Sequence, residues 1–488
     1  MAHDALPVQW LPQRLSGNAG RTIMRFFWPG GEQRARKIID RVQGLSDDGA
    51  AALLASTLKQ FRAHHDDLEE VLDAHFEHAS ARVEVPAGLG PERRRLIGAY
   101  FTLEYAIESA ALFNPSMVRA ADQSGLEAGQ TRFVMSLRAV GEGHVSSIVF
   151  RRGVIGAGGK IRLDPPSLNA RPSRRVENRQ FEKESFRLKV IEMGGYDLVL
   201  EDVLERLGDP FDLRQLHRAL GQVRAGAENP ARFDQVARSL SWLAESNYEI
   251  HGLSGAEVDL QEVVLFPISE AESKGMEDMR LVRFEEEDGR VCYYGTYTAY
   301  NGRQILPQLL EVPLRGALKV HALHGRCARD KGLALFPRKL DGWYAMIGRI
   351  DGENLFLMRS TNVCFWNEAE ILQQPASPWE FVQIGNCGPP IETEAGWLLL
   401  THGVGPMRRY CIGASLLDLK DPARVIGQLR RPLLRPTQDE RTGYVPNVVY
   451  SCGGMVHNGL LIIPYGISDA ATGFAEVPLD ALLDRLAG

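Results

Sequence analysis

The sequence predicts a mainly β protein: a five-bladed β-propeller with an N-terminal helical region and a helical insertion after the first blade. Three observations predict it. First, Gly275-Met276-Glu277-Asp278-Met279-Arg280, Leu335-Phe336-Pro337-Arg338, Gly388-Pro389-Pro390-Ile391-Glu392-Thr393 and Gly443-Tyr444-Val445-Pro446-Asn447 each open strand-like sequence, and their anchors Asp278, Phe336, Pro390 and Asn447 recur roughly every 55 residues. Second, Phe113-Asn114-Pro115-Ser116-Met117 is a fifth opening of this kind, about 164 residues before Asp278, a gap of one period plus about 107 residues of helical character. Third, from Glu262 to the end, β-branched and aromatic runs alternate with turn signals such as Glu287-Asp288-Gly289, Asp341-Gly342 and Asp351-Gly352. Similar all-β units stack as blades, and the innermost strands carry polar side chains from every blade to one central pocket.

Taken in order, residues 1–110 read as a helical region. From Ser46, a predicted N-cap, Leu53, Leu54, Leu58, Phe61, Leu68, Val71, Leu72 and Phe76 recur at helical spacing and predict one long amphipathic helix. A second helix is expected from Pro91 to Ala111, apolar around most of its circumference and so buried against the rest of the chain. This is more apolar surface than a solitary helical pair can cover, which favours packing on the propeller or a homo-oligomer. The propeller domain spans 111–488. Its first strands are Arg132–Arg138 and Ser146–Phe150, separated by Gly141-Glu142-Gly143. A helical insertion follows at 165–260, where Leu200, Val203, Leu204 and Leu207, then Leu213, Leu216 and Leu220, then Val236, Leu240 and Leu243 mark short helices interrupted at Gly208-Asp209-Pro210 and Asn229-Pro230.

Composition excludes several classes. With 44% apolar and 24% charged residues and a formal net charge of -6, the chain reads as an ordinary globular protein with no field to attract nucleic acid, and no basic run with interleaved aromatics occurs. No stretch approaches the roughly 18 to 20 uninterrupted apolar residues of a membrane span, and the start of the chain lacks the layout of a secretory signal, so a cytoplasmic protein is expected. Cys292, Cys327, Cys364, Cys387, Cys411 and Cys452 are scattered and read as reduced and mostly buried. Gly156-Ala157-Gly158-Gly159-Lys160 runs into Ile161 and strand-like sequence, so it is a turn and not a nucleotide-binding loop. There is no Gly-x-Ser-x-Gly elbow. His64, His65, His75 and His78 lack a His-Glu-x-x-His pattern, so no metal and no other cofactor is expected.

The remaining constellation is the set of charged groups at the blade openings: Glu277, Asp278 and Arg280; Arg338 and Lys339; Glu392 and Glu394; Asp439 and Glu440; Asp469. Most such groups bond to a neighbouring blade, but five blades presenting them together suit a sugar, whose hydroxyls need paired donors and acceptors. Trp343, Trp366, Trp379, Tyr300 and Tyr410 offer flat apolar walls. Cleaving a glycosidic bond takes a proton for the leaving oxygen and an attacking group on the other face of the ring. Two carboxylates do this with water. One carboxylate does it with inorganic phosphate, the second carboxylate being replaced by cationic phosphate ligands.

These motifs, with Tyr297-Thr298-Ala299-Tyr300, Gly396-Trp397-Leu398, His402-Gly403-Val404, Leu416-Leu417-Asp418-Leu419, Asn447–Gly453 and Tyr465-Gly466-Ile467-Ser468-Asp469, resemble glycoside hydrolase family 130, the inverting β-mannoside phosphorylases and β-1,2-mannosidases on a five-bladed propeller. The resemblance covers about residues 94 to 484. It implies that Asp278, in the position of the Asp of Glu-Asp-Pro-Arg, is the general acid, that its proton travels through a sugar hydroxyl, and that Asp469 holds the sugar at the cleaved bond. It also puts Asn114, Arg138 and Arg280 in the substrate pocket. Met279 stands where the family has Pro or Ala, and Thr401-His402-Gly403 where the phosphorylases have Tyr-His-Gly. The N-terminal region, the insertion and the phrases Gly141-Glu142-Gly143-His144 and Gly405-Pro406-Met407-Arg408-Arg409-Tyr410 resemble a longer bacterial branch closer to the mannosidases.

The expected activity is therefore that of an inverting, exo-acting β-mannosidase on small β-1,2-linked manno-oligosaccharides, with Asp278 as acid and Glu353 or Glu380 as base. Asn114, Arg138, Glu277, Arg280, Arg338, Lys339, His402, Arg409, Tyr410 and Asp469 are the expected substrate contacts. The alternative is a phosphorylase that takes inorganic phosphate as co-substrate and releases mannose 1-phosphate, with Lys331, Arg338, His402, Arg408 and Arg409 as phosphate ligands. A non-catalytic carbohydrate-binding protein is the third reading.

Overall fold

Alternating apolar strands joined by short turns dominate the chain. In the computed structural model, which describes residues 6–167, 170–172, 180–192, 197–250, 260–313 and 317–488, most strands pair antiparallel with their sequence neighbours. Strands β1 (Gln9–Leu15) and β2 (Thr22–Phe26) precede helices α1 (Glu32–Gln43), α2 (Asp47–Phe61), α3 (Leu68–Ser80) and α4 (Pro91–Tyr100), and β3 (Thr102–Ala106) follows them. The Ser46 hydroxyl caps α2 by accepting from the Gly49 amide. Region 1–110 is thus not helical throughout. The helix predicted to run unbroken from Ser46 to Phe76 is two helices, because the chain turns over residues 62–67. The helix predicted to reach Ala111 stops at Tyr100, and β3 pairs with β2 instead. The turn lets Leu54, Phe76, Leu96, Ile97 and Phe101 share one core, which buries much of the apolar surface left over on a lone helical pair.

β4 (Ala111–Arg119), β5 (Thr131–Val140), β6 (Ser146–Ile155) and β7 (Ile161–Leu163) form the first antiparallel run. Between it and the next lie β8 (Arg171–Pro172), α5 (Lys183–Glu192), α6 (Leu198–Glu205), α7 (Leu213–Arg224), α8 (Pro230–Ser246), β9 (Tyr248–Ile250) and β10 (Val263–Leu265). Asp197, Asp212 and Asn229 cap the last three of these helices, and Phe186, Leu200, Phe211, Leu216, Leu240 and Leu243 give the insertion a core of its own. Residues 168–169, 173–179, 193–196 and 251–259 of the predicted insertion lie outside the described residues.

The second run is β11 (Gly275–Glu285), β12 (Val291–Tyr300), β13 (Ile305–Val312) and β14 (Leu318–Ala322). It joins the first through the parallel pair Gly275–Ser146, and the two merge into an eleven-stranded sheet. β15 (Lys331–Leu335), β16 (Tyr344–Arg349), β17 (Leu355–Ser360) and β18 (Glu368–Gln373) form a separate four-stranded sheet. In the next sheet, β19 (Gln383–Asn386) and β20 (Ile391–Thr393) both pair with β21 (Gly396–Gly405), which continues to β22 (Arg409–Leu417) and β23 (Val425–Gln428). In the last, β24 (Val449–Tyr450) and β25 (Met455–His457) pair with β26 (Leu460–Ile467), then β27 (Ala471–Pro478); α9 (Leu479–Ala487) ends the chain. The outer edge of β27 is covered by β1 from the other end of the chain. One predicted opening shifts: Leu335-Phe336 closes β15, and the strand begins at Lys331.

Apolar clusters lie between successive runs. Met117 and Phe133 of the first meet Ile462 and Phe474 of the last; Ile148 and Phe150 meet Met276 and Leu281; Val282 and Phe284 meet Leu335 and Met346; Ile347 and Leu355 meet Ile384 and Leu399; Leu400 and Ile412 meet Leu461 and Ile463. The chain is mainly β, with the sheets holding one another through these shared cores.

Candidate active site

Three strands carry the same backbone device. The pairing of β4 with β5 shifts between Phe113 and Ser116, that of β11 with β12 between Glu277 and Arg280, and that of β15 with β16 between Lys331 and Ala334. In each irregular stretch one residue is left-handed: Asn114 (φ 50°), Asp278 (φ 52°) and Gly332 (φ 87°). A bulge re-aims the side chain it carries. Here the result is a contact between two strands 164 residues apart, the Asn114 Nδ2 donating to Asp278 Oδ1 at 2.8 Å.

Asp278 lies in a cavity of about 300 Å³ also lined by Glu277, Arg138, Asp330, Lys331, Arg349, Asn386, His402, Arg408, Tyr410, Tyr450 and Asp469. Glu277 bridges two cations: Arg138 Nη2 donates to its Oε1 at 2.9 Å and Lys331 Nζ to its Oε2 at 2.6 Å. Arg138 Nη1 is also 3.7 Å from Asp278 Oδ1. Arg280, buried behind the wall, donates to the Asp278 carbonyl at 2.9 Å and to the Tyr450 hydroxyl at 2.6 Å, holding the backbone of the bulge. Arg349 Nε is 3.5 Å from Asp330 Oδ2.

Burial works to raise the Asp278 carboxyl, but Arg138, Arg280, the Asn114 amide and Lys331 outweigh it and hold it below its ordinary value. Asp469 behaves oppositely: burial first, and the Asp278 charge second, push it up to about 6. His402 is held neutral by burial and by Arg349 and Arg280. Its Nδ1 lies 3.3 Å from the Asn386 carbonyl, an acceptor, so Nδ1 carries the hydrogen and Nε2 is left with a free lone pair. Asn114 Oδ1, Asn386 Oδ1 and His402 Nε2 are buried and have no hydrogen-bond partner among the described residues. Such orphans are rare unless something polar completes them, and three in one cavity suit a polyhydroxyl ligand.

Of the sequence-predicted residues, Asp278, Asn114, Arg138, Glu277, His402, Tyr410 and Asp469 line the cavity, and Arg280 supports it from behind. Arg338 and Lys339 do not. They lie at a second cavity of about 860 Å³, where Arg338 makes a bidentate pair with Glu392 and Lys339 faces Glu287 at 3.7 Å, because β15 ends before them and carries them away from Lys331. Arg409 begins β22 at the surface, and its left-handed neighbour Arg408 enters the cavity instead. Neither expected base lines the cavity. Glu353 is exposed in a turn organised by Asp351, whose carboxylate accepts from the amides of Glu353 and Asn354. Glu380 is fully buried and accepts from the amides of Ala376 and Ser377, so its carboxylate closes a turn.

Asp330, Arg349, Asn386 and Tyr450 were missed as site residues. Tyr450 sits in the recurring phrase Asn447–Gly453, but Asp330 and Arg349 belong to no motif, and only the pairing of β15 with β16 brings them in. Among the described residues no group of three or more His, Cys, Asp or Glu is placed to hold a metal ion, and no helix is long and apolar enough to cross a membrane.

Residues 253–487 match the profile of a family described as beta-1,4-mannooligosaccharide phosphorylase. The chain is 32% identical over 227 residues to a 1,2-beta-oligomannan phosphorylase of Thermoanaerobacter sp. (strain X514), covering 44% of this chain and 72% of that one. It is 36% identical over 210 residues to a beta-1,2-mannobiose phosphorylase of the same strain, covering 42% and 68%. Among solved structures, the beta-1,2-mannobiose phosphorylase from Listeria innocua in complex with beta-1,2-mannobiose matches with a TM-score of 0.44 and 20% identity, over 78% of this chain and 93% of that one.

Proposed function

Because the chain belongs to glycoside hydrolase family 130, we propose that it cleaves β-linked mannosides with inversion and does so by phosphorolysis, with Asp278 as acid and inorganic phosphate as the attacking co-substrate. The observation that carries the choice over hydrolysis is the cavity wall. Arg138, Lys331 and Arg349 line it, and neither glutamate expected to activate water does. Of the other carboxylates in the wall, Glu277 is held between Arg138 and Lys331 and Asp330 lies beside Arg349, which leaves Asp469. The names of the two Thermoanaerobacter relatives support phosphorolysis and a β-1,2 linkage. Five antiparallel runs with apolar clusters between successive ones support a five-bladed propeller over 111–488, with region 1–110 and insertion 165–260 as additions to it.

In this mechanism a phosphate oxygen forms the new bond to the anomeric carbon as the bond to the leaving sugar oxygen breaks on the opposite face. Asp278 supplies the proton to that oxygen, through a sugar hydroxyl as in the family pattern, and is reprotonated by the hydrogen phosphate. The cations that keep Asp278 ionised in the free protein are those a phosphate dianion would neutralise, so phosphate binding lifts the Asp278 carboxyl toward its acid role. Asp469, which favours its proton up to about pH 6, is available as a donor to a sugar oxygen.

The deciding experiment incubates the protein with β-1,2-mannobiose, with and without inorganic phosphate. Mannose 1-phosphate that forms only with phosphate is expected. Free mannose as the sole product at an unchanged rate without phosphate would return the assignment to hydrolysis.

A further inference from the structure

At about 300 Å³ the cavity is at the small end for ligand sites, so an oligosaccharide must run out over its rim. Three loops form that rim, and their tips play no part in the chemistry above. Arg408 and Val445 line the cavity, and the residues beside them in sequence, Met407 and Tyr444, are 89% and 72% exposed. The Tyr444 ring stacks on the His144 imidazole with centroids 5.8 Å apart and planes 22° from parallel. His144 comes from the turn between β5 and β6, Met407 and Arg408 from the turn between β21 and β22, and Tyr444 from the loop before β24.

These tips are held in place. The Tyr105 hydroxyl donates to the Glu142 carbonyl at 2.6 Å, the Tyr410 amide to the Asn447 carbonyl at 3.1 Å, and the Val445 amide to the Ser468 carbonyl at 3.1 Å. His144, Met407 and Arg408 have φ of 59°, 60° and 52°, a left-handed backbone that Met and Arg adopt rarely and that the surrounding structure must impose on them. Large apolar side chains fixed in water beside a cavity gain nothing for folding, and such patches mark contact sites.

We propose that Tyr444, stacked on His144 and joined by Met407 and Arg408, forms the subsite for the sugar units on the leaving side of the cleaved bond, which makes the chain selective for oligosaccharides over a mannoside with a small leaving group. The proposal rests on the reading that the cavity takes a β-mannoside. A pyranose ring has a face of C–H bonds that packs on an aromatic ring, while its hydroxyls need charged or polar partners at the edge. Arg408 supplies these: it has no hydrogen-bond or ion-pair partner among the described residues.

The test is calorimetric titration of the full chain and of Tyr444→Ala, Tyr444→Phe and Met407→Ala with mannose, β-1,2-mannobiose and β-1,2-mannotriose. Loss of one aromatic contact is expected to weaken the oligosaccharides about three- to tenfold in Tyr444→Ala. Mannose affinity and the thermal midpoint should not move, and Tyr444→Phe should match the parent. Unchanged oligosaccharide affinity in Tyr444→Ala, as for a surface that serves a protein partner, overturns the proposal, as does an equal loss for mannose. If the parent binds none of the three sugars, the functional reading itself falls before any variant is made.

Discussion

Asp278 owes its position to a single backbone irregularity. In a regular strand its side chain would follow the alternation of Glu277 and Met279; with φ at 52° it points at Asn114 and into the cavity. Asp278→Asn keeps that shape and removes the transferable proton, so turnover of an unactivated β-mannoside should fall by roughly two to four orders of magnitude, with a smaller loss on an aryl mannoside whose leaving group needs less protonation. Near-parent turnover of the unactivated substrate by the folded variant would refute the acid assignment. Asp469 carries a pH signature. Its value in the folded protein is about 6 against 3.8 for an unperturbed Asp, so the folded state binds the proton more tightly than the unfolded chain. The stability this gives is complete below the unfolded value and is lost as pH rises through the folded one. Asp469→Asn should therefore melt above the parent at about pH 7.5, with the difference shrinking toward about pH 4, in thermal melts at the two values. An unchanged difference would mean that Asp469 titrates normally.

The hairpin of β21 and β22 shows how an element fixes residues beyond its own strands. Trp379 packs across Gly403 and Gly413: a Cβ at Gly403 would lie 2.5 Å from both the Trp379 ring and Glu380 Cβ, and one at Gly413 2.6 Å from the Trp379 ring. The turn that carries Trp379 is closed by Glu380, which is why this glutamate is structural. Gly403→Ala should destabilise by about 1 to 3 kcal/mol through forced repacking. Glu380→Gln should cost about 1 to 3 kcal/mol by weakening the bonds to the Ala376 and Ser377 amides, while turnover per folded molecule is retained. Denaturant titration paired with kinetics separates the two effects, and a collapse of turnover without loss of stability would restore Glu380 as a catalytic base. The phrase around these residues announced an element but not its role, because a Glu that closes a turn and a Glu that activates water look alike until the neighbouring amides are seen.

Across the whole molecule, the N-terminal region is tied in at two places. β1 covers the edge of β27, and a buried ionic trio holds the segment before β4 to the first run. Glu108 accepts from Arg151 Nη2 at 2.6 and 2.7 Å and from Arg21 Nη1 at 3.3 Å, with both carboxylate oxygens out of water. Burial and the neighbouring Arg151 bring Arg21 down to about 10, a measure of how little solvent reaches the trio. Removing the carboxylate leaves two buried guanidinium groups facing each other without their shared counter-charge, so Glu108→Leu should cost about 3 to 5 kcal/mol in a denaturant titration. Nothing in the spacing of Arg21, Glu108 and Arg151 announces this contact, which joins positions 87 and 43 residues apart.

The sequence by itself determined what depends on local pattern. Periodic phrases and turn signals pointed to the strands of the later runs, the insertion helices and the charged blade openings with Glu277, Asp278 and Asp469, while Asn114 and Arg138 were expected in the pocket only from the family resemblance. It misjudged the long helix from Ser46 because helical periodicity continues on either side of a turn, and nothing local says that packing on α4 is better served by reversing the chain. The tertiary structure alone decided the composition of the cavity wall. Arg349 and Asp330 enter through strand pairing, Arg408 displaces Arg409 because the turn residues Met407 and Arg408 are left-handed, Glu353 is left exposed in a turn, and Glu380, Arg338 and Lys339 are engaged by partners elsewhere. The physical reason is that a side chain's chemistry depends on which partners reach it, and those partners come from strands tens to hundreds of residues away.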